Sequence, residues 1–285
     1  MLTRSLGNTG VQIPVIGQGT WTFGADPARE KQEIEALRLG IELGLSLIDT
    51  AESYASGGAE TVVGKAIQDI RSDVFLVTKV SPEHCSYEGV LRAAEGSLSR
   101  LGTDYIDLYL QHWPSKTHPV EETMRAMAEL VKQGAVKYVG VSNFTPELLQ
   151  RAQDALGEIP IVCNQVGYHL RYRNIENNVL PYCQEQQVTV MAYSPFGGGG
   201  GFPAAGTAER EVLDAIGAKY GKNAYQVALN WILRRDGVVT IPKSSTEANI
   251  RSNAEALGWE LSEADLRQID EVFPRPAEGM PLREV

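Results

Sequence analysis

The chain has 285 residues, 43 % of them hydrophobic, and a formal net charge of −10 at pH 7. That apolar share can fill one large core, while the negative charge argues against nucleic acid or an anionic membrane as partner, since phosphate repels a chain without a basic patch. Cys85, Cys163 and Cys183 form no C-x-x-C pair and suggest neither a disulfide framework nor a zinc site, and without a long apolar run or a signal-like start a soluble cytoplasmic protein is expected.

In chain order, the segment from Arg4 to Ile13 reads as two short strands around Asn8-Thr9-Gly10, a hairpin able to cap the bottom of a barrel. Eight short apolar runs follow, at Val15–Gly19, Leu45–Ala51, Phe75–Val80, Ile106–Gln111, Val136–Ser142, Ile161–Val166, Val188–Ser194 and Val238–Ile241, each succeeded by an amphipathic helical stretch. Val74-Phe75-Leu76-Val77 is apolar on both faces, as a buried parallel strand is. Eight such units without an evident linker predict an α/β fold, a (β/α)8 TIM barrel with an N-terminal β-hairpin, spanning 1–285 as one domain; an open doubly wound sheet is the alternative. Thr145-Pro146-Glu147 and Ser262-Glu263-Ala264-Asp265 carry helix-start chemistry. The glycine run Gly197 to Gly201 reads as a mobile loop over a ligand or as a plain surface connection.

In such a barrel the chemistry sits where strands stop at their carboxyl ends. The second strand ends in Asp49-Thr50-Ala51-Glu52-Ser53-Tyr54, the third in Lys79 and the fourth in Gln111-His112-Trp113. Singly, Asp49 suits a loop cap, Tyr54 a rim aromatic, Lys79 a solvated end and His112 a packed histidine. Together they place Asp, Tyr, Lys and His on three successive strand ends, as an acid/base site requires. Asp49 can pair with Lys79, and the ammonium beside the phenol is expected to lower the Tyr54 pKa.

Gly17-Gln18-Gly19-Thr20-Trp21, Asp49 to Tyr54, Gly140-Val141-Ser142-Asn143-Phe144, Asn164-Gln165-Val166 and Ile241-Pro242-Lys243-Ser244 resemble the signatures of the aldo-keto reductases, in that family's order and over nearly the whole chain. The resemblance implies a catalytic tetrad in which Tyr54 is the general acid, Lys79 and Asp49 adjust it and His112 orients a carbonyl. It implies that Ser142, Asn143 and Gln165 hydrogen-bond a nicotinamide carboxamide, that Tyr193 stacks on the ring, and that Ser194 belongs to the same cofactor site. Without it, Ser142-Asn143 reads as the N-cap region of the helix near Pro146. Lys243 and Ser244 lead into a helix start over residues 246–253 suited to dinucleotide phosphates, with Arg251 as further charge and the adenine near Asn253. Asn249 stands where many NADPH-preferring relatives place an arginine, so NADPH is expected first, with NADH or dual use open.

No G-x-G-x-x-G follows a predicted strand and no Tyr-x-x-x-Lys occurs, which removes the short-chain dehydrogenases. His84, Cys85 and His118 lack ligand spacing, so no metal is assigned. Trp21, Trp113 and Phe196 can wall a substrate pocket or simply pack under the loops, the two readings standing level for Phe196. The segments after His112, around the glycine run and in the tail Phe273–Val285 are short, so the pocket should be open. The expected partner is a small aldehyde or ketone, without an obligate protein partner. The alternatives are a cofactor-binding regulatory subunit with little turnover, and an isomerase or aldolase using Lys79 as a Schiff base.

Overall fold

In the computed structural model, which describes residues 2–277 and 282, the chain opens with an antiparallel hairpin of β1 (Thr3–Ser5) and β2 (Gln12–Pro14). An eight-stranded parallel sheet follows, in chain order: β3 (Gln18–Gly19), β4 (Leu47–Asp49), β5 (Phe75–Val80), β6 (Ile106–Gln111), β7 (Val136–Ser142), β8 (Ile161–Gly167), β9 (Thr189–Tyr193) and β10 (Val238–Thr240). The first and last strands meet: Gly17 N donates to Thr240 O at 2.8 Å, Thr240 N to Val15 O at 2.9 Å and Gly19 N to Pro242 O at 3.2 Å. The sheet is therefore a closed barrel, and the open-sheet alternative is excluded. A side chain at Gly19 would place its Cβ 2.8 Å from the Ile241 carbonyl, so this seam needs glycine.

Helices α1 (Glu30–Glu42), α2 (Gly58–Ile67), α3 (Tyr87–Leu101), α4 (Val120–Lys132), α5 (Pro146–Leu156) and α6 (Val179–Glu185) connect successive strands; α7 (Ala208–Tyr220) and α8 (Ala224–Leu233) lie between β9 and β10, and α9 (Glu247–Ala254) and α10 (Glu263–Val272) close the ring. Thr145 caps α5 with proline in its first turn, and Ser262 with Asp265 forms a capping box on α10, as the sequence predicts. Among the described residues no helix is long and apolar enough to cross a membrane.

Alternation along each strand separates two cores. Outward residues such as Ile48, Leu76, Tyr109 and Val166 pack against the helices. Inward residues Leu47, Val77, Leu108, Leu110, Cys163, Met191, Val239 and Ile241 fill the barrel, Val162 joins them where the register of β7 and β8 shifts, and Leu6 and Ile13 of the hairpin segment pack beneath. Gly7 N bonds Thr189 Oγ1 where β9 begins, so the hairpin plugs the amino-terminal end of the barrel and leaves the other rim open.

Candidate active site

The last inward positions at the open rim are polar. Asp49 follows Leu47 by two residues on β4, Lys79 follows Val77 on β5, and Gln165 follows Cys163 on β8, so the period that builds the apolar interior also delivers these side chains above it. Asp49 is 1 % exposed, Lys79 0 % and Gln165 2 %. Lys79 Nζ lies 2.8 Å from Asp49 Oδ2, 2.7 Å from the Thr50 carbonyl and 3.3 Å from the Tyr54 hydroxyl. Gln165 Nε2 donates to Asp49 Oδ1 at 2.6 Å.

Tyr54 sits on a loop rather than a strand, held by Thr50 N to Val77 O and Glu52 N to Lys79 O. Ala55 and Ser56 both take left-handed backbone (φ 49° and 52°), a conformation costing non-glycine residues about 1–3 kcal/mol each. That strain sits directly beside the phenol. The His112 ring meets the Tyr54 ring edge-on at 5.6 Å, its Nδ1 lies 3.4 Å from Ser53 Oγ, and Trp113 stacks on it at 6.4 Å.

Burial decides the electrostatics. It alone would pull the Lys79 ammonium below its ordinary value, but Asp49 and then Tyr54 more than reverse this, and Lys79 holds its proton more tightly than a free lysine. Asp49 is pushed up by burial, with Lys79 and Gln165 drawing it back. The Tyr54 expectation is corrected: protein crowds its hydroxyl, and desolvation outweighs the lowering effect of Lys79, so the net shift is upward. His112 falls to about 3 through burial and then the Lys79 charge, so it is neutral across physiological pH.

The rim beyond β7 to β9 carries a second polar group. Asn143 adopts φ 63° at the end of β7, its Nδ2 donates to Ser142 Oγ at 3.0 Å and reaches His112 O at 3.4 Å, and Tyr193 OH donates to Asn143 Oδ1 at 3.0 Å. Ser142 Oγ in turn donates to the Gln165 carbonyl at 2.8 Å. Ser194, also left-handed at φ 51°, starts the loop into the glycine run, where Gly197 to Gly200 take four successive positive φ values that only glycine adopts without strain.

Across the seam, Lys243 is exposed and depressed by partial burial and by the neighbouring Arg29 charge. Arg29 donates to Ser245 Oγ at 2.9 Å, and Ser244 Oγ accepts from Thr246 N at 3.4 Å. Thr246 makes no side-chain bond to the first turn of α9, leaving those amides available to an anion. Two like-charged side chains beside an uncapped helix start fit a phosphate group. Asn249 is exposed on the first turn and Asn253 is buried. Arg251 pairs with Glu247 at 2.8 Å across one turn of α9, an exposed ion pair of little energetic weight that leaves the guanidinium on the surface. Arg29 and Ser245 were not legible in sequence, because 216 positions separate them.

Of the expected pocket residues, Trp113 lies against His112, Trp21 stands 60 % exposed beyond β3, and Phe196 packs edge-on against Phe202 and Tyr225. His84 pairs with Glu52 at 2.9 Å, and among the described residues no cluster of three or more His, Cys, Asp or Glu is arranged to hold a metal. Most of the tail Phe273–Val285, residues 278–281 and 283–285, lies outside the described residues.

The methylglyoxal reductase YeaE of Escherichia coli is 46 % identical over 266 residues, 93 % of each chain. A glyoxal reductase of Bacillus subtilis is 37 % identical, covering 92 % of this chain and 90 % of its own. An aldo/keto reductase from Klebsiella pneumoniae, solved with NADP and acetate, superposes with a TM-score of 0.90 at 41 % identity over 98 % of both chains. The model of the Aldo/keto reductase family matches residues 15–273, and the chain belongs to that family, an oxidoreductase whose chemistry is carbonyl reduction.

Proposed function

We propose that the protein reduces small aldehydes and ketones to alcohols with NADPH, and that 2-oxoaldehydes such as methylglyoxal are its foremost substrates. The observation that carries this reading is the Lys79 ammonium, pinned by Asp49 at 2.8 Å and lying 3.3 Å from the Tyr54 hydroxyl. Tyr54 gives its proton to the carbonyl oxygen, and Lys79 stabilises the phenolate left behind. Asp49 and the Thr50 carbonyl fix the ammonium in place. With Nδ1 of the neutral His112 facing Ser53, Nε2 is left to hold the carbonyl oxygen. The bound nicotinamide supplies hydride. Ser142, Asn143 and Gln165 would hold its carboxamide, Tyr193 and Ser194 would line its ring, and Lys243, Ser244, Asn249 and Asn253, joined by Arg29, would hold the adenosine end. Trp21 and Trp113 wall the substrate side. Relatives that act on methylglyoxal and glyoxal support the substrate class.

A Schiff-base role for Lys79 is disfavoured, because a lysine nucleophile must be neutral and Lys79 is held as an ammonium. In this reading the chain acts as a single domain in the cytoplasm, without an obligate protein partner. The test is a fluorescence titration with NADPH and NADH separately, then absorbance decay with methylglyoxal, glyoxal and a panel of simple ketones. Aldehyde-dependent oxidation of NADPH supports the proposal; binding without turnover supports a regulatory subunit, and no binding overturns it.

A further inference from the structure

We propose that Gln165 is a positioning residue for the Asp49–Lys79–Tyr54 relay, fixing Asp49 from β8 while Lys79 fixes it from β5, and so joins the cofactor pocket to the proton-donating group. The inference rests on the assignment of Tyr54 as the acid. A carboxylate only accepts hydrogen bonds, so the 2.6 Å contact to Asp49 Oδ1 commits the amide nitrogen of Gln165 to Asp49. Oδ2 is already taken by Lys79 at 2.8 Å. Each carboxylate oxygen thus has one donor from a different strand, and the side chain is locked across the mouth of the barrel. Met191 Sδ, 3.1 Å from the same nitrogen, packs beneath it. The titratable groups around Asp49 are Lys79 on β5, Tyr54 on its own loop and Cys163 beneath it on β8, with His112 from β6 facing Lys79. Lys79, the cation among these groups, does most to favour the charged form of Asp49, and the Gln165 amide adds the second, neutral donor.

Two variants separate this role from a plain cofactor contact. Gln165→Met keeps the length and removes the donor. Gln165→Glu keeps the shape and donates to Asp49 only while protonated; once ionised it repels the neighbouring carboxylate. Under saturating NADPH and methylglyoxal, the Gln165→Met kcat relative to native should fall about tenfold from neutral pH to the acid limb, the worth of one charge-assisted hydrogen bond in proton affinity. The Gln165→Glu ratio should run the opposite way, rising as pH falls. A second readout needs no cofactor: the Tm deficit of Gln165→Met should be largest near neutrality and shrink on acidification, because protonated Asp49 no longer requires the donor. If both variants weaken NADPH binding but keep pH-independent kcat ratios and Tm deficits, Gln165 is a cofactor contact only and the inference is overturned. If native protein turns over no carbonyl, the assignment of function fails instead.

Discussion

Replacing Lys79 with methionine tests whether the buried pair is an energetic unit as well as a catalytic one. An ammonium has three hydrogens to donate, and Lys79 directs them to Asp49, the Thr50 carbonyl and Tyr54. Methionine occupies similar volume but supplies no charge, leaving Asp49 at 1 % exposure with Gln165 as its remaining donor. Breaking a buried ion pair from one side costs about 3–5 kcal/mol, against a total stability for a domain of about 5–15 kcal/mol. Urea unfolding of the cofactor-free protein, compared at constant m-value, should show a loss of that size. The double variant Asp49→Asn/Lys79→Met removes both charges and should recover most of it, since a buried pair replaced by neutral groups is often close to neutral in stability. Neither variant should recover turnover, because Tyr54 has lost its ammonium in both. A single variant within about 1 kcal/mol of native, or a double variant no more stable than the single, refutes the charged pair as drawn.

Tyr54→Phe should lower kcat by about 10²–10⁴-fold while leaving the NADPH Kd nearly unchanged, checked by fluorescence titration beside single-turnover reduction. Asn249→Arg should tighten NADPH about tenfold or more and leave NADH unchanged; equal changes for both would move Asn249 away from the 2′-phosphate. With His112 depressed to about 3 from an ordinary 6.5, the folded protein binds fewer protons than the unfolded chain over that interval, so its stability should fall as pH drops from 6.5 toward 3. A His112→Gln variant should lose that part of the acid sensitivity in pH-dependent melting. Cys85 and Cys183 are pushed to about 12, and Cys163 higher still, by burial, so the native protein should resist a thiol reagent that labels all three cysteines after denaturation.

What sequence reveals here depends on the range of the interaction. β5, β6 and β7 begin and end where their apolar runs do, because nearly every side chain on both faces is buried, the exposed Lys137 of β7 excepted, and the pattern has no competing signal. β4 is shorter than its run, Leu47–Asp49 within Leu45–Ala51: Leu45 N is taken by Gly40 O at the end of α1, and Thr50 begins the loop that carries Tyr54. The convergence of Asp49, Lys79, Tyr54 and His112 followed from strand ends alone, since the barrel turns sequence order into a ring. The sign of the Tyr54 shift did not, because it is a contest between desolvation and a charge whose outcome depends on how tightly the loop closes. Nor could spacing reveal that Arg29 stands beside Ser245, 216 positions away.

The most expensive side chains of the site stand directly above an apolar layer, and β5 shows how one strand supports both. Thr78 faces outward, its hydroxyl donating to Glu60 Oε1 at 2.5 Å, and Glu60 is clamped by Arg100 at 2.6 Å. Lys79 faces inward, to Asp49. A slip of one residue would exchange these partners, placing an ammonium in the helix layer and a hydroxyl against Asp49. The Thr78–Glu60–Arg100 chain therefore specifies the register from behind the strand while Lys79 uses it in front. The strained turn at Ala55 and Ser56 can persist for the same reason: the strands on which it rests are fixed by contacts that take no part in the chemistry.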